Sequence, residues 1–179
     1  MKHPEVILVN EYDEEVGTME KMEAHYKGML HRAFSVFIIN DAGDWLLQQR
    51  ALDKYHSGGL WTNACCSHPL PGETTVAGAH RRLHEELGFD CQLEEIFSFT
   101  YKTVFNNGLT EHEYDHVFLG VYNGAIFPDK GEVNDYRYLS ANQVLSLIEQ
   151  EPDSFTSWFH LALPMVLQHL KSSMSEAKV

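Results

Sequence analysis

Residues 31–40 of this 179-residue chain read His-Arg-Ala-Phe-Ser-Val-Phe-Ile-Ile-Asn, a run whose β-branched and aromatic content suits the interior of a sheet. Asn40-Asp41-Ala42-Gly43-Asp44 then turns the chain back onto residues 45–50. The pattern predicts a β-hairpin whose first arm is a core strand. A buried strand needs a covering layer on each face, which limits the folds open to the rest of the chain. Further strands are expected at about 5–10, 92–103, 113–122 and 135–139; the first leads into an acidic turn, Glu11-Tyr12-Asp13-Glu14-Glu15 and Gly17.

Three helices supply the covering layers. The first follows Thr74, an N-cap residue, and ends at Leu87 before Gly88, a C-cap residue. Val76, Ala79, Leu83 and Leu87 recur along it at helical spacing and predict a core-facing stripe. The second opens on Ser140-Ala141-Asn142-Gln143, a capping box with Gln at the third helical position. The third covers about 154–170, with Pro164 expected to kink or interrupt it. Strands on both sides of a central helix, with more helix at the end, predict an α/β (α+β) architecture: a mixed sheet flanked by helices in a single compact domain, 1–179. Its core is expected at about 30–165, a strand or lid segment at 1–29 and a frayed tail at 172–179.

A net charge of −13 argues against nucleic-acid or anionic-membrane partners, so an anionic small molecule would have to be met by a local basic cluster. No apolar run approaches the roughly 18 residues of a membrane span. Cys65, Cys66 and Cys91 show neither disulfide-framework spacing nor a CxxC pair, which predicts reduced thiols and a soluble cytoplasmic protein.

Trp61-Thr62-Asn63-Ala64-Cys65-Cys66-Ser67-His68-Pro69 places a thiol and an imidazole two residues apart where an extended segment meets a Pro/Gly-rich loop. Strand alternation sends successive side chains to opposite faces, so only one of Cys65 and Cys66 can face a given cavity. The same rule lets Glu111 and Glu113 converge while His112 turns outward. With His25, His31 and His68 they form a nitrogen/oxygen set suited to Zn²⁺, Mn²⁺ or Fe²⁺ and too nitrogen-rich for Mg²⁺ or Ca²⁺. On the central helix, Glu86 and Arg82 share one margin of the apolar stripe, whereas Glu85 and Arg81 point farther toward solvent. That geometry favours Glu86 as a site residue, and equally allows an i,i+4 ion pair with Arg82.

Arg81-Arg82-Leu83-His84-Glu85-Glu86-Leu87-Gly88-Phe89 resembles the core of the Nudix box, with Glu73 at its upstream acidic position. That box presents carboxylates to Mg²⁺ bound by a diphosphate. Here Ser67 replaces its leading Gly, and Arg82 stands where a metal-binding Glu is usual, which suits binding a diphosphate rather than cleaving it. Adding Val6-Ile7-Leu8-Val9-Asn10, Met19-Glu20-Lys21, Leu30-His31-Arg32-Ala33-Phe34-Ser35, Gln49-Arg50-Ala51, Cys66-Ser67-His68-Pro69, Glu111-His112-Glu113 and Ser157-Trp158, nearly the whole chain resembles the type 1 isopentenyl-diphosphate isomerases, Nudix-fold enzymes of isoprenoid synthesis.

The resemblance implies interconversion of isopentenyl and dimethylallyl diphosphate by protonation and deprotonation through a tertiary carbocation. It implies Cys66 and Glu113 as the acid–base pair, in either order, with the thiol brought near neutrality to relay a proton. Tyr101 matches the tyrosine that hydrogen-bonds the glutamate, and Trp158 the cation-facing indole. His25, His31, His68, Glu111 and Glu113 match a buried divalent site for Mn²⁺ or Zn²⁺, and Glu86 the Mg²⁺ ligand that meets the diphosphate. Lys21, Arg50, Lys54 and Arg82 match the basic groups around the phosphates. A prenyl diphosphate as partner, and a monomer or weak homodimer, are expected. A Nudix-type diphosphate hydrolase and a non-catalytic metal- or phosphate-binding domain are the competing readings.

Overall fold

In the computed structural model, which describes residues 4–176, the chain runs β1 (Glu5–Val9), β2 (Glu15–Glu20), α1 (Lys21–Lys27), β3 (His31–Ile39), β4 (Trp45–Arg50), β5 (Trp61–Thr62), β6 (Cys65–Ser67), α2 (Thr75–Leu87), β7 (Leu93–Val104), β8 (Thr110–Val121), β9 (Val133–Leu139), α3 (Ala141–Gln150) and α4 (Ser157–Glu176). The described strands form one mixed sheet. β3 is its hub: it runs parallel to β8 from His31↔Glu113 to Ile39↔Val121 and antiparallel to β6. The expected α+β architecture with a mixed sheet is therefore present.

The expected hairpin closes, with Asn40 N donating to Asp44 O at 3.0 Å. Its arms then part, because Ile39↔Trp45 is the one rung between β3 and β4. β4 continues along β9 instead. The segment Trp61–Ser67 crosses the wedge between them, pairing first with β4 through β5 and then with β3 through β6. Asn63 Nδ2 secures the crossing by donating to the Val36 and Cys65 carbonyls, each at 2.9 Å.

Alternation divides β3 and β8 between two layers. Phe34, Val36, Ile38 and Phe118 pack with Ala79, Leu83 and Leu87 of α2. Phe37 and Val117 pack with Phe159, Ala162 and Val166 of α4. Burial of these side chains stabilises each by about 1.5–3 kcal/mol relative to exposure. α2 begins and ends where expected, with Thr74 Oγ1 accepting from Ala77 N and Gly88 in the left-handed region at φ 72°. A Cβ at Gly88 would lie 2.6 Å from the Phe127 carbonyl oxygen, so no other residue fits there without displacement. The capping box of α3 forms as expected.

Four expectations are corrected. Val76 is 40% exposed: it lies at the open first turn of α2, and Gly78 takes the buried position instead. The acidic turn is shorter than expected, because Glu15 already begins β2, held against β1. α4 runs unbroken through Pro164, which points to solvent while Ala162, Leu163 and Val166 hold the inner face. The same helix continues through 172–176, where a frayed tail was expected; residues 177–179 lie outside the described residues.

Candidate active site and metal centre

Where β3 and β4 part, the strands open a solvent-connected cleft with about 570 Å³ of space between and above its walls. His31 begins β3, Cys66 lies on β6, and Glu111 and Glu113 lie on β8 beside Tyr101 of β7. α1 brings Lys21 and His25 to the same place. Glu20 caps this short helix by accepting from Met22 N and Glu23 N, at 3.0 and 2.8 Å. The sequence did not announce α1, because seven residues are too few to show a 3.6-residue period.

His25, His31, His68 and Glu113 place one ligand atom each within 4.8 Å of one another. The far ring nitrogens fix the near ones: His25 Nδ1 donates to the Lys21 carbonyl at 2.7 Å, and His31 Nδ1 to the Met29 carbonyl at 2.8 Å. Each Nε2 is thereby left with a lone pair facing inward, the arrangement of metal-binding imidazoles. His31 Nε2 lies 3.2 Å from His68 Nε2, and Glu113 Oε1 lies 2.9 Å from His68 and 3.5 Å from His31. Ligand atoms about 2.1 Å from one ion are separated by roughly 3.0–3.4 Å, so these side chains fit a divalent ion. Burial pushes His68 down to about 3 and also lowers His25, keeping both rings neutral and able to ligate.

The Tyr101 hydroxyl links the two carboxylates, at 2.6 Å from Glu113 Oε2 and 3.2 Å from Glu111 Oε2, so that each Oε1 faces the imidazoles. Burial and then repulsion from Glu113 raise the Glu111 carboxyl well above its usual range. Burial alone would raise Glu113 too, but its contacts with His31 and His68 outweigh that and hold it well below.

Cys66 and Cys65 face opposite layers, as alternation requires. Cys65 is fully buried among Phe34, Leu83 and Leu87, whereas Cys66 lines the cleft. Cys66 Sγ donates to Asn63 Oδ1 at 3.0 Å and lies 3.4 Å from Ser35 Oγ, which donates to Asp115 Oδ2 at 2.7 Å. Burial, reinforced by Asp115, pushes the thiol far up. Its proton is retained.

The opposite wall is basic. Lys21, Arg50, Lys54 and Arg82 line the cleft, but two of these cations are already partnered. Lys54 pairs with Glu132, and Arg82 reaches Glu86 at 2.7 Å and Glu132 at 3.0 Å. Glu86 is buried and accepts from Gln48 Nε2 at 2.8 Å, whereas Glu85 is exposed. The expected i,i+4 pair and the expected site residue are therefore the same carboxylate. Glu73 turns away to a two-pronged pair with Arg81, at 2.8 and 2.9 Å. Trp158 is 2% exposed, with the Arg50 guanidinium 5.3 Å from its ring centroid, so its face already serves a cation.

Sequence reasoning missed His56, Asp115, Gln48 and Glu132. Asp115 continues the alternation begun by Glu111 and Glu113 and was open to the same rule. His56 sits in the irregular connection between β4 and β5, where no period points to it.

Residues 29–159 match the NUDIX domain family. A Pectobacterium atrosepticum protein named isopentenyl-diphosphate Delta-isomerase is 48% identical over 96% of both chains. A Photobacterium profundum protein of the same name is 44% identical, again over 96% of both. Among solved structures, DR0079 of Deinococcus radiodurans superposes with a TM-score of 0.69 at 18% identity, covering 82% of this chain and 90% of its own. A Caenorhabditis elegans Ap4A hydrolase superposes with a TM-score of 0.56 at 15% identity, covering 81% and 98%. At such identities these structural likenesses bear on the fold alone.

Proposed function

The chain belongs to the NUDIX domain family and, within it, to the isopentenyl-diphosphate Delta-isomerases, and from this premise we propose that it interconverts isopentenyl and dimethylallyl diphosphate. One observation carries the reading: Cys66 and Glu113 line the same cleft as an indole and a basic wall. Adding a proton to the terminal alkene carbon leaves positive charge on the tertiary carbon, and loss of a proton from the neighbouring methylene restores a double bond. One C–H bond forms as another breaks. The thiol holds its proton while the Glu113 carboxylate is bare, so each member of the pair is set for one of the two transfers.

Trp158 is the group for the transient cation; an indole face stabilises a desolvated cation by about 2 kcal/mol. Tyr101 donates to Glu113 and keeps its second oxygen fixed. Lys21, Arg50, Lys54 and Arg82 bind the diphosphate, which displaces part of the contacts of Lys54 and Arg82 with Glu132. His25, His31, His68, Glu111 and Glu113 would hold Mn²⁺ or Zn²⁺, and Glu86 would hold Mg²⁺ with the diphosphate. The first ion would supply positive charge beside Glu113 and the second would neutralise phosphate oxygens. The free thiols support a reducing, cytoplasmic setting.

Incubation with isopentenyl diphosphate in D₂O, followed by NMR, tests the reading. Deuterated dimethylallyl diphosphate is the expected product. Released phosphate would point to a hydrolase, and unchanged substrate to a non-catalytic binding domain.

A further inference from the structure

We infer that His56 is a ligand of the divalent ion at this centre, bound beside Glu111 and His25. The inference rests on the metal reading above and extends it to a residue outside the expected set. His25, His56 and Glu111 place ligand atoms within 4.8 Å of one another, and all three are buried. The four-residue group around Glu113 does not include Glu111. Glu111 thus belongs to the expected ligand set but lies beside His56, and both groups share His25.

Two features point the His56 ring at an ion rather than at a neighbour. Its Nε2 lies 3.1 Å from Glu111 Oε1, yet is not aligned to donate to it and has no other hydrogen-bond partner. Glu111 Oε2 is taken by Tyr101, so Oε1 is the oxygen that faces both imidazoles. The ring is held in place by a stack on Phe105 at 4.7 Å and an edge contact with Tyr55 at 4.4 Å. His25 offers one inward lone pair, since its Nδ1 donates to Lys21, and a single lone pair serves a single ion. The two groups therefore meet at one nitrogen, and because their ligand atoms do not all lie within 4.8 Å of one another, Glu111 and His56 must close together on an ion held there, which gives it four imidazoles and two carboxylates. Such nitrogen-rich ligation disfavours Mg²⁺ and favours Zn²⁺, Mn²⁺ or Fe²⁺.

The test uses the full chain, loaded with Zn²⁺ alone after chelator treatment, and His56→Phe, which keeps the ring stacking and removes the nitrogens. X-ray absorption is expected to report one ion with four imidazoles in the wild-type protein and three in the variant. Competition with a chromogenic chelator is expected to show about 10- to 100-fold weaker Zn²⁺ binding in the variant. Three imidazoles in both proteins, with unchanged affinity, would overturn the role of His56 and leave the metal centre standing. Absence of bound ion in the wild-type protein, or two ions per chain, would overturn the shared centre itself. If circular dichroism shows that His56→Phe does not fold, His56→Asn replaces it under the same criteria.

Discussion

Removing one oxygen atom, in Tyr101→Phe, isolates the contribution of the hydroxyl that joins the two buried carboxylates. The ring remains stacked on Phe99 at 5.6 Å, so packing is preserved. What disappears is a 2.6 Å donor to a charged Glu113 oxygen and a 3.2 Å contact with Glu111. A hydrogen bond to a charged group is worth about 1.5–3 kcal/mol. If that energy serves the proton-transfer step, kcat falls by about 10- to 150-fold. KM should change little, because the basic wall that meets the diphosphate is untouched. In the metal-free protein the same loss should lower the melting temperature by about 3–12 °C, using the scaling for a chain of this size. Steady-state kinetics and differential scanning calorimetry read both quantities. A variant with kcat within twofold of wild type and an unchanged melting temperature would refute the assignment of the hydroxyl to Glu113.

Three further outcomes are expected. Cys65→Ala should retain activity, whereas Cys66→Ala should abolish it with folding intact by circular dichroism; equal losses would refute the division of the two thiols between core and cleft. Gly88→Ala should destabilise the fold by more than about 2 kcal/mol, since an L-residue is disfavoured at φ 72° and its Cβ would meet the Phe127 carbonyl, a loss readable in urea denaturation. In chelator-treated protein, His56 and His68 titrate near 3 when folded and near 6.5 when unfolded, so the unfolded chain takes up protons first. Stability should be complete above about pH 6.5 and fall by roughly 1.4 kcal/mol per pH unit for each ring as the pH drops toward 3. Urea midpoints that stay flat from pH 7 to 5 would contradict this.

What the sequence disclosed were features governed by near neighbours. Thr74 and Gly88 bound α2 and Ser140 with Gln143 starts α3, because capping is settled within four residues. Alternation separated Cys65 from Cys66 and joined Glu111 to Glu113. The parting of β3 from β4 was not legible, because it depends on the segment Trp61–Ser67 taking the facing edges of both strands, which no pattern within the hairpin announces. Nor was the partnering of Lys54 and Arg82 by Glu132, a residue that no local pattern links to the site.

The crossing of Trp61–Ser67 between β4 and β3 also has a kinetic meaning. Cys66 reaches its place only when the parted arms of the β3–β4 hairpin have been bridged, and Glu113 only once β8 has aligned with β3 over a long intervening stretch of chain. Contacts of such wide separation form slowly, because loop closure must precede them. The two halves of the proton-transfer pair come together only through β3, which holds β6 and β8 on its two edges. During refolding, catalytic competence should therefore emerge with the final cooperative phase, after helical circular dichroism has recovered, which makes turnover a clock for completion of the sheet.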